Sequence, residues 1–154
     1  MGPTGLDWPA VGAGVSWGVG HLAVLSVPVF SGLRWTAVPL VLASGLLAGA
    51  AAGRLARREP AAGGSHGLIA GLLTGGCFAA GFWLALDTPG WSVGVFHGLD
   101  YLLATGAGRL RVIATHGPLV VATLAVIGGA AMGLLGYLAG REAPRRTDPR
   151  FLEP

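Results

Sequence analysis

Four stretches of this chain, residues 9–30, 35–55, 67–86 and 118–140, are free of acidic residues and apolar over almost their whole length. At 1.5 Å of rise per residue, about 20 residues reach roughly 30 Å, the depth of a bilayer's hydrocarbon core. Lipid offers the backbone no hydrogen-bond partner, so a segment placed there satisfies its own N–H and C=O groups as helix. Only Arg54, at the end of the second stretch, brings a charge into any of them. The expectation is an all-α membrane protein, a four-transmembrane-helix bundle that forms one membrane domain over residues 1–154.

The composition argues against an ordinary soluble domain, because it holds too little charge to cover a water-facing surface. Charged residues make up 11% of the chain and hydrophobic residues 53%, whereas soluble domains carry roughly a quarter charged. The net charge of +3 comes from ten arginines and no lysine against seven acids. Most of those arginines sit just past the ends of apolar stretches, which points to membrane topology and not to nucleic acid. The single cysteine, Cys77, lies within an apolar run, so neither an intramolecular disulfide nor a multi-cysteine metal site is available. Residues 1–7 lack the basic stretch that opens a secretory signal, and the first apolar segment is expected to be retained.

Arginine bias sets the orientation. With the amino terminus inside, Arg54, Arg57, Arg58, Arg141, Arg145, Arg146 and Arg150 are cytoplasmic, and Arg34, Arg109 and Arg111 are outside. The expected location is the cell membrane, multi-pass, with both termini and the tail 141–154 cytoplasmic. Trp8 and Tyr137 then lie near the inner boundary, and Trp35, Trp83 and Trp91 near the outer one. Residues 31–34 read as a tight turn and 57–66 as a short polar loop. In the longer third connection, residues 91–105 predict a short interfacial helix with Phe96, Leu99 and Leu103 on one face. A weak repeat lays residues 53–60 over 136–144.

The 28 glycines are patterned. Gly45, Gly49 and Gly53 fall four apart on the second helix and Gly67, Gly71 and Gly75 on the third, while Gly129/Gly133 and Gly136/Gly140 form two pairs on the fourth. That spacing lines up missing side chains on one face, where another helix approaches closely. This glycine-zipper packing is expected to join the second helix directly to the third, with oligomerisation through one of these faces as the alternative.

His21 is the one ionisable side chain deep in the first stretch, one turn after Trp17. An ionisable group at such depth is a functional candidate by default. The plainer role is a neutral imidazole bonding a carbonyl or serine on a neighbouring helix. A haem would need a second histidine at the same depth, but His66 belongs near the inner boundary and His97 and His116 outside. An outer zinc site from Asp87, His97, Asp100 and His116 matches no trusted spacing, and these read as solvated loop residues. No phosphate loop, zincin motif or serine-nucleophile elbow occurs, so neither a catalytic residue nor a cofactor is expected and the chain does not read as an enzyme. No acid lies inside a span, which argues against a proton-coupled pump.

At residues 45–55, 67–75 and 133–140 the chain resembles a group of small glycine-rich, four-span membrane proteins of unknown function from halophilic archaea. The resemblance covers about a third of the chain, implies four helices and carries no functional residue over. The functional expectation is a structural or accessory membrane protein in the lipid bilayer, with a membrane-protein partner or as a homo-oligomer. The alternative is a small oligomeric channel or transporter with His21 on its path.

The arginine bias makes a direct prediction. In intact cells, and judged against the native Cys77, a cysteine replacing Ser65 resists an impermeant thiol reagent while one replacing Ser92 reacts; the reverse pattern overturns the orientation.

Overall fold

The computed structural model of the chain describes residues 6–56, 60–88, 91, 93–107 and 111–143, and all regular structure among them is helical. In chain order the elements are α1 (Trp8–Leu25), a 3-10 turn (Pro28–Gly32), α2 (Ala37–Leu55), α3 (Pro60–Asp87), α4 (Val95–Ala107) and α5 (Arg111–Glu142). The expected tail lies outside the described residues beyond Ala143.

The helix ends follow local chemistry and correct several boundaries. Asp7 caps α1, its carboxylate accepting the Ala10 N–H at 3.4 Å, and proline occupies the first turn, where no amide is needed. At the other end the Ser26 hydroxyl donates to the Leu22 carbonyl, and Pro28 cannot continue the ladder. The first helix therefore stops at Leu25 instead of running on to residue 30. Pro60 opens α3 seven residues before the expected start, so most of the stretch read as a loop is helix. Likewise α5 begins at Arg111 instead of 118, with a break at His116 (φ −128°, ψ 34°). Pro118, inside the same helix, explains the break, because its ring displaces the carbonyl one turn back and it donates no hydrogen bond. The short helix starts at Val95 instead of 91, after Gly94 at φ +58°, a conformation that favours glycine.

Three segments are long and apolar enough to cross a membrane: Ala37–Leu55, Gly63–Asp87 and Thr115–Glu142. The first helix is outside this group, at 18 residues and carrying His21 and four glycines. Side chains are arranged as lipid would have them. Leu134 is 59% exposed and Val126 71%, whereas Ala37, Ala48, Ala52, Ala70, Ser44 and Thr74 are fully buried. Water would penalise such an exterior, and small interior residues are what membrane helices use to approach one another.

Each of the two central helices carries two small-residue stripes side by side. On α2, Gly45, Gly49 and Gly53 lie against Met132, Gly136 and Gly140 of α5, so these two helices run parallel. On α3, Gly63, Gly67 and Gly71 meet Gly140, Gly136 and Met132, so α3 runs antiparallel to α5. The glycine faces of the second and third helices thus both turn to α5 and not to each other, because the backbone of α5 fits between them. The neighbouring stripes face α1: Gly14 lies against Ala48, Ala52 and Ala70, and Gly18 against Ala48 and Thr74.

At the far end α4 closes the bundle. Phe96, Leu99 and Leu103 pack on a core that includes Leu25, Val41, Phe78 and Phe82. Phe96 stacks on Phe78 at 6.1 Å, and the Gly94 N–H donates to the Ser31 hydroxyl at 2.9 Å.

Two adjacent glycines give opposite predictions. A methyl group on Gly75 would lie 2.6 Å from the Gly129 Cα, while one on Gly76 meets nothing within 4 Å. Gly75→Ala is expected to destabilise the bundle by about 1–3 kcal/mol, and Gly76→Ala to stabilise it by about 0.5–1 kcal/mol, since glycine disfavours a helix interior. Thermal unfolding in detergent separates the two outcomes.

Candidate functional site

The helix pairing brings His21 to a partner. Its Nδ1 lies 2.9 Å from the Ser44 Oγ, joining α1 to α2 across the middle of the bundle. Either group serves as donor according to the imidazole tautomer, because the hydroxyl both gives and accepts. Trp17, one turn earlier and 65% exposed, shares with His21 a groove of about 470 Å³ between Ser16, Gly20, Val24 and Leu47. The pair named from the sequence therefore stands on the flank of α1, on a groove open to the side, with the imidazole tied inward to Ser44.

Two polar positions differ from the sequence expectation, which left His66 in a boundary loop and had Thr74 bond its own helix backbone. His66 is only 2% exposed, and its Nε2 accepts the Asp7 amide proton at 2.8 Å. That bond ties the start of α1 to the start of α3. Thr74, fully buried opposite Gly18, has no hydrogen-bond partner for its hydroxyl among the described residues. The signal for both was their spacing: His66, Ala70 and Thr74 fall four apart, one residue behind the glycine triplet of the same helix. Attention to glycine alone hid this second stripe.

Not all ten glycines singled out from the sequence sit alike. Gly45, Gly49, Gly53, Gly67, Gly71, Gly75, Gly136 and Gly140 each press on the backbone of another helix. A methyl on Gly129 would make only an ordinary 3.6 Å contact with Gly75, and one on Gly133 would meet the side chain of Leu72 at 2.5 Å. These last two tolerate movement that the other eight do not.

The remaining histidines do not converge. His97 and His116 are exposed, as is Asp87, and among the described residues no three His, Cys, Asp or Glu side chains gather as a metal site. Cys77 is exposed on α3. Comparison with protein-family models, with curated proteins and with solved structures finds no match to this chain. The chemistry the described polar groups support is hydrogen bonding between helices.

Two stability measurements test these assignments. A double-mutant cycle of His21→Leu and Ser44→Ala is expected to return a coupling of roughly 0.6 kcal/mol and at most about 1.7 kcal/mol, the range for hydrogen bonds between membrane helices; additive effects would show the contact to be idle. Thr74→Val keeps the shape and removes an unpaired buried hydroxyl, so it is expected to raise stability by about 1–3 kcal/mol. A loss would mean that the hydroxyl is satisfied in the membrane.

Proposed function

We propose that the chain is a structural or accessory membrane protein, a small subunit of a larger membrane complex or a self-associating bundle. In this reading α1 is a fourth span, the glycine contacts act as a zipper, and both termini face the cytoplasm. One observation carries it: the polar side chains of His21 and His66 are spent on neighbouring helices, while the outer faces offer broad apolar surface. A bundle built this way presents lipid or another membrane protein with a face to pack against.

The ends of the helices support the orientation. Gly53 lies against Gly140, so Arg54 and Arg141 share one end of the bundle, and His66 brings Asp7 to the start of α3. Arg34 precedes α2 at the opposite end. Asp7, Arg54, His66 and Arg141 belong to the side on which arginine bias places the cytoplasm, and Arg34 to the other.

The second reading, a small oligomeric channel or transporter, is favoured by the open groove at Trp17 and His21, which a second copy would close. Extraction from the native membrane in mild detergent, followed by mass analysis, tests the first reading: a co-purifying membrane protein or a homo-oligomer is expected, and a lone monomer overturns it. Proton flux into liposomes separates the two. No flux is expected from the wild type; flux that is present and abolished by His21→Gln, with helicity unchanged, would establish the channel in place of the accessory role.

A further inference from the structure

The parallel contact between α2 and α5 ends where the glycine period ends. Gly45 touches Met132, and one turn earlier the series continues as the larger Val41. Between the two helices opens a cavity of about 400 Å³, walled by Val38 and Val41 of α2, Phe82 of α3, Leu99 and Leu103 of α4, and Ile127 of α5. Every residue around it is apolar. Water entering such a space would find no partner, and an empty space would forfeit the dispersion contacts of all its walls. Its volume falls in the range of ligand pockets. The partly exposed Val38 and Ile127 mark a mouth on the flank, at residues that belong to candidate spans.

A cation stands at the same end. The Arg34 guanidinium lies 4.0 Å from the centre of the Tyr101 ring, beside Leu102, which also lines the cavity. Arg34 is exposed and makes no ion pair among the described residues. Stacking on a ring face leaves the edge of a guanidinium free for a phosphate, which it matches in a bidentate manner.

We infer that this cavity is a binding site for one anionic phospholipid, with an acyl chain between α2, α4 and α5 and its phosphate on Arg34. The inference rests on the membrane-spanning reading above. Placing the headgroup beside Arg34 sets it just before the start of α2, and the chain then enters at Val38, the second residue of that helix.

The test is native mass spectrometry of the full chain in detergent, with dioleoylphosphatidylglycerol or dioleoylphosphatidylcholine added. The wild type is expected to retain one phosphatidylglycerol in preference to phosphatidylcholine. Val38→Trp and Ile127→Trp, which fill the mouth from two different helices, are each expected to lower the bound fraction about tenfold. Val126→Trp, on a strongly exposed neighbour, is expected to leave it unchanged. Arg34→Gln is expected to reduce the preference for phosphatidylglycerol about fivefold, the worth of one arginine near an anionic surface. Equal retention by the cavity variants and the Val126 variant, with helicity preserved, overturns the site. Equal retention of both lipids by the wild type overturns the role of Arg34. A dimer dissociated by Ile127→Trp would make a second copy the occupant and overturn the inference. A chain that stays in solution without detergent overturns the spanning reading itself, whereas one that needs detergent and holds no lipid overturns only this site.

Discussion

The approach of the α5 backbone to α2 and α3 is the constraint on which the rest of the bundle depends. Met132, Gly136 and Gly140, four apart, each touch both partners, so one face of one helix sets two interhelical registers at once. Dispersion and weak Cα–H···O contacts supply the attraction in lipid, where burying apolar surface gains little. Such forces fall off steeply with distance, and a single added methyl on these faces would collide with main chain that cannot turn aside. Once α5 is seated, the spacing of α2 and α3 is fixed, and the groove that receives α1 on their other side is fixed with it.

That groove is closed by different means. Gly14 and Gly18 bring α1 close, but it is held by two directional bonds, from the Asp7 amide at its start to His66 and between His21 and Ser44. This suits the shortest of the four long helices. Without an extended glycine register of its own, α1 takes its position from a few polar contacts, and a neutral histidine in lipid costs far less than a charge. Thr74 is the exception, a buried hydroxyl facing Gly18 with no partner among the described residues.

Much of the helical framework was legible, since length, apolarity and the period of four are local properties of the chain. Which glycine face meets which was not. Gly49 and Gly71 carry the same message, that a backbone comes close, and nothing in either triplet says whose backbone it is; the choice of α5 arises from fitting three helices together. The stripe of Ser44, Ala48 and Ala52, and that of His66, Ala70 and Thr74, was present in the sequence but muted, because alanine, serine and threonine do the work of glycine less visibly. Boundaries failed for a similar reason. Glycine-rich residues near Pro60 read as loop by composition, yet Gly63 packs on Gly140 and Gly64 on the Tyr137 ring as parts of a helix. Pro28 ended α1 early, an effect that its single position does announce. The His21 and Ser44 pairing needed the fold, since 23 residues separate them.

The wedge position of α5 also bears on how the molecule comes into being. A ribosome delivers helices in chain order, and the element that joins α2 to α3 is the last of the five to leave it. Only four residues separate Leu55 from Pro60, so α2 and α3 are neighbours long before their shared partner exists. Until then, the glycine faces of both stand open to lipid, to chaperone helices of the insertion machinery or to the same faces on another nascent chain. The register that α2 and α3 take on α5 can therefore close only once residues 132–140 have arrived.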